Sequence, residues 1–160
     1  MNFIEMVRLL KQDPGKAEKA LSEDKRLLGM RSPALKEGLL AYAATENWLE
    51  AARMLIRMGA QVNDQNACGE TPLIMAASLN HPEMLRLLLD HEADLSLVAG
   101  LNDTALSRAV SNGSMETARI LIEAGADTEW CTPAGTLIDI VPPAYKEELE
   151  ALLHQRKGQS

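Results

Sequence analysis

Three histidines, two cysteines and a surplus of carboxylates are the side chains of this sequence that could do chemistry. A hydrolytic or metal-assisted reaction needs a nucleophile, a base or a ligand set held at close spacing. His81, His91 and His154 are not spaced as ligands, and the sequence has no Cys-x-x-Cys, His-Glu-x-x-His or Gly-x-Ser-x-Gly. Gly69-Glu70-Thr71-Pro72 and Pro133-Ala134-Gly135-Thr136 read as turns. Neither has the glycine content, or the following lysine, that a phosphate-cradling loop requires. Cys68 and Cys131 lie far apart and read as two free thiols, which fits a reducing compartment. These residues assign no catalytic role, no cofactor and no metal.

Charge is more informative. The net formal charge is −7, unevenly distributed. Residues 1–36 carry eight Lys/Arg against five Asp/Glu, residues 37–140 five against fifteen, and residues 141–160 three against three. An acidic body disfavours nucleic acid, whose phosphates are bound by Lys and Arg. It equally disfavours an anionic membrane surface. A basic protein is the natural complement.

A repeating element must position these groups. Between Gly69 and Asp94, Thr71 suits a helix N-cap and Pro72 the first helical position, where a missing N–H costs nothing. Small Ala76 and Ala77 let another helix come close. Asn80-His81-Pro82 ends that helix and starts a second, whose Met84, Leu85, Leu87, Leu88 and Leu89 form a wide apolar face. Thr71, Leu73, Ala76 and Glu83 recur 33 residues on as Thr104, Leu106, Ala109 and Glu116. Leu40, Ala43 and Glu50 stand one period earlier. A generic helical bundle has no reason to repeat its loop residues.

The run Thr71-Pro72-Leu73 with Ala76 resembles the ankyrin repeat, whose pattern contains Thr-Pro-Leu-His-x-Ala. The resemblance implies an all-α solenoid of stacked helix-turn-helix units with short connecting hairpin loops. It would be one domain over residues 1–160. An N-terminal cap fills 1–33, full units fill 34–66, 67–99 and 100–132, and a degenerate C-terminal cap fills 133–160. The first unit is weak at its start, where Lys36-Glu37-Gly38 stands in place of Gly-x-Thr. The middle unit has one flaw, Glu92, where Gly59 and Gly125 follow the second helix elsewhere. Lys157-Gly158-Gln159-Ser160 reads as a loose tail. The resemblance gives His81 a structural hydrogen-bonding role, and Trp48, at the same position, reads as an aromatic wedged against its helix pair.

Glu37, Glu70 and Asp103 occupy one repeat position in three successive units, beside the start of each first helix. The resemblance puts that position on the concave surface which ankyrin proteins commonly use for partners. Glu46, Leu79 and Asn112, at the ends of the first helices, are companion candidates. The carboxylates also have a purely local use, since acids near helix N-termini stabilise the dipole by ~0.3–1 kcal/mol. Trp130, in a connecting hairpin, is either an exposed partner contact or packed under the neighbouring unit.

The expected function is non-enzymatic protein–protein interaction by a cytoplasmic monomer, through a concave acidic surface. An alternative is a dedicated inhibitor, such as an immunity protein that occludes a basic toxin. Small stand-alone ankyrin proteins of this kind resemble bacterial ones. An enzyme with an unfamiliar site is a third class, and would need a deep pocket that a smooth stack seldom provides. No apolar run approaches the roughly 18 residues of a bilayer span, and no signal peptide is visible at Met1-Asn2-Phe3-Ile4-Glu5. With no ligand cluster in the sequence, dialysis against a chelator should leave the helical circular dichroism and melting curve unchanged. A large loss of helix on chelation would overturn this.

Overall fold

Helix boundaries recur with the sequence period. In the computed structural model, helices α3 (Leu39–Thr45), α5 (Pro72–Ser78) and α7 (Ala105–Ser111) begin and end at matching repeat positions. So do their partners α4 (Leu49–Arg57), α6 (Pro82–Asp90) and α8 (Met115–Glu123). The reason is local. Thr71 Oγ1 accepts from the Ile74 N–H at 3.2 Å, and Thr104 Oγ1 from the Ser107 N–H at 3.1 Å, satisfying donors a helix start leaves orphaned. Gly38 offers α3 no side-chain cap. That loss is roughly a few tenths of a kcal/mol, because glycine tolerates the cap backbone.

The first helices α3, α5 and α7 pack directly on one another, and α4, α6 and α8 form a second row behind them. Ala43, Ala76 and Ala109, at one repeat position, are completely buried. Leu55, Leu88 and Leu121 do the same for the second row, and one continuous apolar core runs the length of the stack. At one end α1 (Phe3–Gln12) and α2 (Pro14–Glu23) form a pair. Asp13 both ends α1 and caps α2, where its carboxylate accepts from the Lys16 N–H. At the other end α9 (Leu137–Ile140) lies on α7, and α10 (Lys146–Lys157) lies on α8. Among the described residues there are no strands, only isolated bridges such as Arg31–Gly38 and Ala99–Asp103 in the connecting hairpins. The structure describes residues 1–157; Lys157, expected as the first residue of the loose tail, instead closes α10, and the rest of that tail lies outside the described residues.

Neighbouring units are tied by hydrogen bonds at both edges. His81 Nδ1 lies 3.0 Å from the Ala44 carbonyl oxygen, one unit away, as expected of a structural histidine. One unit on, Thr117 Oγ1 donates to the corresponding Ala77 oxygen at 3.3 Å. Trp48 packs its ring 5.8 Å from Tyr42, which in turn meets Phe3 edge-on, so it joins the N-terminal pair to the first unit. Along the hairpins, the Ala67 N–H donates to Leu35 O at 2.7 Å and the Gly100 N–H to Cys68 O at 2.9 Å. The next rung would need an N–H at Pro133, which has none. In its place the Trp130 indole N–H donates to Asn102 O at 2.9 Å, and Asn102 Nδ2 donates to Cys131 O at 3.1 Å.

Left-handed backbone also follows the repeat. It falls at Lys36, Gly69, Asn102 and Gly135; at Asn47, Asn80 and Gly113; and at Gly59, Glu92 and Gly125. Leu101, with φ +63°, is the one left-handed residue outside this register among the described residues. Glu92 has φ +61° where its counterparts are glycines. A left-handed residue with a Cβ is strained by roughly 1–2 kcal/mol, of which glycine's greater freedom when unfolded takes back a part. Glu92→Gly should therefore raise stability by ~1 kcal/mol in a denaturant melt. A variant less stable than the parent would show that the Glu92 side chain is worth more than the strain it carries.

Candidate functional site

The face made by the starts and ends of α3, α5 and α7 gathers six of the seven sequence-selected residues. Asn66, in the hairpin before α5, fixes the first carboxylate of the middle unit. Its Oδ1 accepts from the Glu70 N–H at 3.0 Å, and its Nδ2 donates to Glu70 Oε2 at 3.0 Å. Asp103 accepts a 3.4 Å hydrogen bond from Ser107 Oγ. Glu37 is the most enclosed of the row, 7% exposed, with its Oε1 accepting from Thr45 Oγ1 at 3.2 Å.

The row is not an unbroken line of like charge, as the spacing alone suggested. Arg108, the one basic residue of the three first helices, stands between two of its members. Its Nε lies 3.0 Å from Asp103 Oδ2 and its Nη2 3.5 Å from Glu70 Oε1. All three side chains are more than two-thirds covered, so this pairing is screened less than an exposed one. Among the described residues Glu37 makes no such ion pair. Burial holds its carboxyl above the ordinary 4.5; the Thr45 hydrogen bond opposes this, and the charges of Glu70 and Glu46 reinforce it.

Glu46 and Leu79 are exposed at the ends of α3 and α5, Leu79 to 46%. Asn112, at the end of α7, is tied to the unit before it: its Nδ2 donates to both Ser78 O and Ser78 Oγ at 2.9 Å. Trp130 lies apart from the row. It is half-buried, its indole N–H spent on Asn102, and it lines a hollow of about 200 Å³ with Leu95, Thr104 and Ala126. Its ring is thus partly packed against the neighbouring hairpin, with the N–H already bonded.

Two features were missed. Arg108 was readable as the only cation on the first helices, but its bond to Glu70 crosses a unit boundary that spacing does not reveal. Leu101, 81% exposed with left-handed backbone at a hairpin tip, carried no signal beyond its being a leucine beside Asn102. Among the described residues no group of three or more His, Cys, Asp or Glu could hold a metal ion, and no helix is long and apolar enough to cross a membrane. Both cysteines are free and exposed.

A family model described as Ankyrin repeats (3 copies) matches residues 2–98 and 39–129. No curated protein matches the chain.

The buried Glu37 carboxyl gives a pH signature. The folded state holds its proton more tightly than the unfolded chain does, so stability falls as pH climbs from 4.5 through the raised folded value. Above that value the loss is complete. Glu37→Gln keeps an acceptor for Thr45 and removes the charge. It should be more stable than the parent near neutral pH, with the difference closing as pH drops below 4.5. Denaturant melts from about pH 4 to about pH 8 check this, and a difference independent of pH would refute it.

Proposed function

The chain belongs to the ankyrin-repeat family, whose members are generally protein–protein interaction modules, and from that we propose that it binds a basic protein through the acidic face of its first helices, without catalysing a reaction. The observation that carries this reading is the recurrence of Glu37, Glu70 and Asp103 at one repeat position, on adjoining units, with a single arginine among them. Exposed Leu79 and Glu46 beside the row supply apolar and charged contact area. The mechanism is rigid presentation. Side chains held by stacked units lose little entropy on binding, and complementary charge mainly accelerates encounter. Cytoplasmic action goes with this reading, since Cys68 and Cys131 are both exposed free thiols.

Two roles fit the same face. An adaptor forms a ternary complex with a second protein. A dedicated inhibitor, such as an immunity protein, forms one binary complex in which the partner's own activity is lost.

The electrostatic part is directly testable on a partner recovered by affinity purification. Replacing Glu37, Glu70 and Asp103 together by their amides keeps the acceptor for Thr45 and leaves one oxygen acceptor in place of two at Glu70 and at Asp103; the fold should remain intact, which circular dichroism checks. The association rate at low salt should fall at least about tenfold. Raising the salt, which shortens the screening length to about 8 Å at 0.15 M and further beyond, should erase most of the difference. A partner that associates equally fast with both forms at low salt would reduce the row to local decoration of the helix starts.

A further inference from the structure

A second repeat position, outside the acidic row, carries apolar residues in successive units. Leu35, Cys68, Leu101 and Ala134 stand at successive hairpin tips and are all exposed. Backbone rungs set the tips side by side: Leu35 O accepts from the Ala67 N–H at 2.7 Å, and Cys68 O from the Gly100 N–H at 2.9 Å. Leu35 is 44% exposed and Leu101 81%. Leu101 is unfavourable in the free chain for two reasons. Its side chain lies in water, and its backbone is left-handed immediately before left-handed Asn102, a pairing that suits Asn and Gly and not leucine. In the other hairpins the left-handed residue is Lys36, Gly69 or Gly135. A strained leucine so far exposed returns little to the fold, which points to a gain made on binding.

We infer that this row of hairpin tips docks a basic, amphipathic α-helix of the protein partner, with an apolar side chain at every seventh residue. The period selects the helix. Packed helices lie about 8–10 Å apart, and the tips step with the first helices that follow them. Seven residues of α-helix rise about 10.5 Å and return to nearly the same face. A β-strand covers that length in about three residues, which turns successive contacts to opposite faces. Polyproline II repeats at about 9.3 Å, but its prolines are short and alike. The row has small Cys68 between two leucines, a dip that a long side chain on a helix reaches. Charge selects the flanks. Glu37, Glu70 and Asp103 follow two residues along each hairpin, bonded within the fold, and they act on the partner through their field. Lys or Arg beside each apolar residue completes the match. A second copy of this chain does not supply the helix. Touching Leu35, Cys68 and Leu101 takes about fifteen helical residues. The longest described helix, α10, has 12, and its Leu149 and Leu152 are buried. The inference rests on the protein-binding reading above and adds an apolar edge to its charged face.

The probe is a designed peptide of about 21 residues, with leucine at every seventh position, lysine beside each leucine and alanine elsewhere. Added to the full chain, it should slow alkylation of the free, exposed Cys68 by iodoacetamide several-fold. Amide NMR shifts should centre on the three tips and leave α4, α6 and α8 silent. A peptide of the same composition with its leucines moved off that spacing should bind at least about tenfold more weakly. Leu101→Asn relieves the strained backbone and removes the apolar contact. It should raise the denaturant midpoint while weakening the peptide at least about tenfold, whereas a leucine serving the fold would lower the midpoint. Leu35→Ser, at an unstrained tip, should weaken binding with the melt unchanged. Absent protection of Cys68, equal binding of the respaced peptide, preference for a peptide with proline at every third position, or undiminished binding by Leu101→Asn would each overturn the inference. Failure of the wider reading is separable on a recovered partner, because apolar contacts set how long a complex lasts and charge sets how fast it forms. If the Leu101→Asn complex dissociates at the parent's rate while the triple-amide chain still associates slowly, this inference alone falls. If the triple-amide chain associates as fast as the parent while the Leu101→Asn complex dissociates faster, the charge reading alone falls.

Discussion

Close contact between first helices is the constraint on which the rest of this structure depends. Ala43, Ala76 and Ala109 are wholly buried at one repeat position on helices that lie directly against each other. A larger side chain there would push the units apart, and well-packed interiors absorb added volume at a cost of about 1–3 kcal/mol. Separation would also break the bonds from His81 to Ala44 and from Thr117 to Ala77, which end on helix-terminal carbonyls whose turn bonds from Asn47 and Asn80 are long, at 3.3 Å. The acidic row exists for the same reason. Residues a whole repeat apart in sequence become neighbours only because the helices that carry them are close.

That closeness explains what could be read in advance and what could not. Thr71, Pro72 and Thr104 act through their own helix starts, so their roles follow from local sequence. The strained backbone at Glu92 was visible too, because two glycines mark the position in the flanking units. The burial of Glu37 was not visible: next to a glycine cap, at a weak match to the repeat, it read as one more member of the acidic row. It is covered by packing, and its Thr45 partner lies at the far end of the same helix. The pairing of Arg108 with Glu70 belongs to the junction between units. Such contacts depend on the crossing of two helices, which no residue spacing encodes.

Charge along the face is graded. At the Asp103 end two carboxylates, Asp103 and Glu70, share the Arg108 guanidinium, and at the other end Glu37 makes no ion pair among the described residues. The gradient runs along the stacking direction, so the face has a polarity although its units look alike. Net charge per segment, which first drew attention to the acidic body, averages over this difference.

The substitution of a side-chain bond for a backbone rung at Pro133 bears on how such a chain can change in length. Copying residues 67–99 in place would reproduce both of its junctions, because the N–H groups of Ala67 and Gly100 find the same carbonyls on either side. A unit joined after the last hairpin would meet a proline that cannot donate, and an Asn102–Trp130 clasp that fits one neighbour alone. Growth by duplication is thus open in the interior and closed at this border. The array can gain members in the middle while its final unit stays the same.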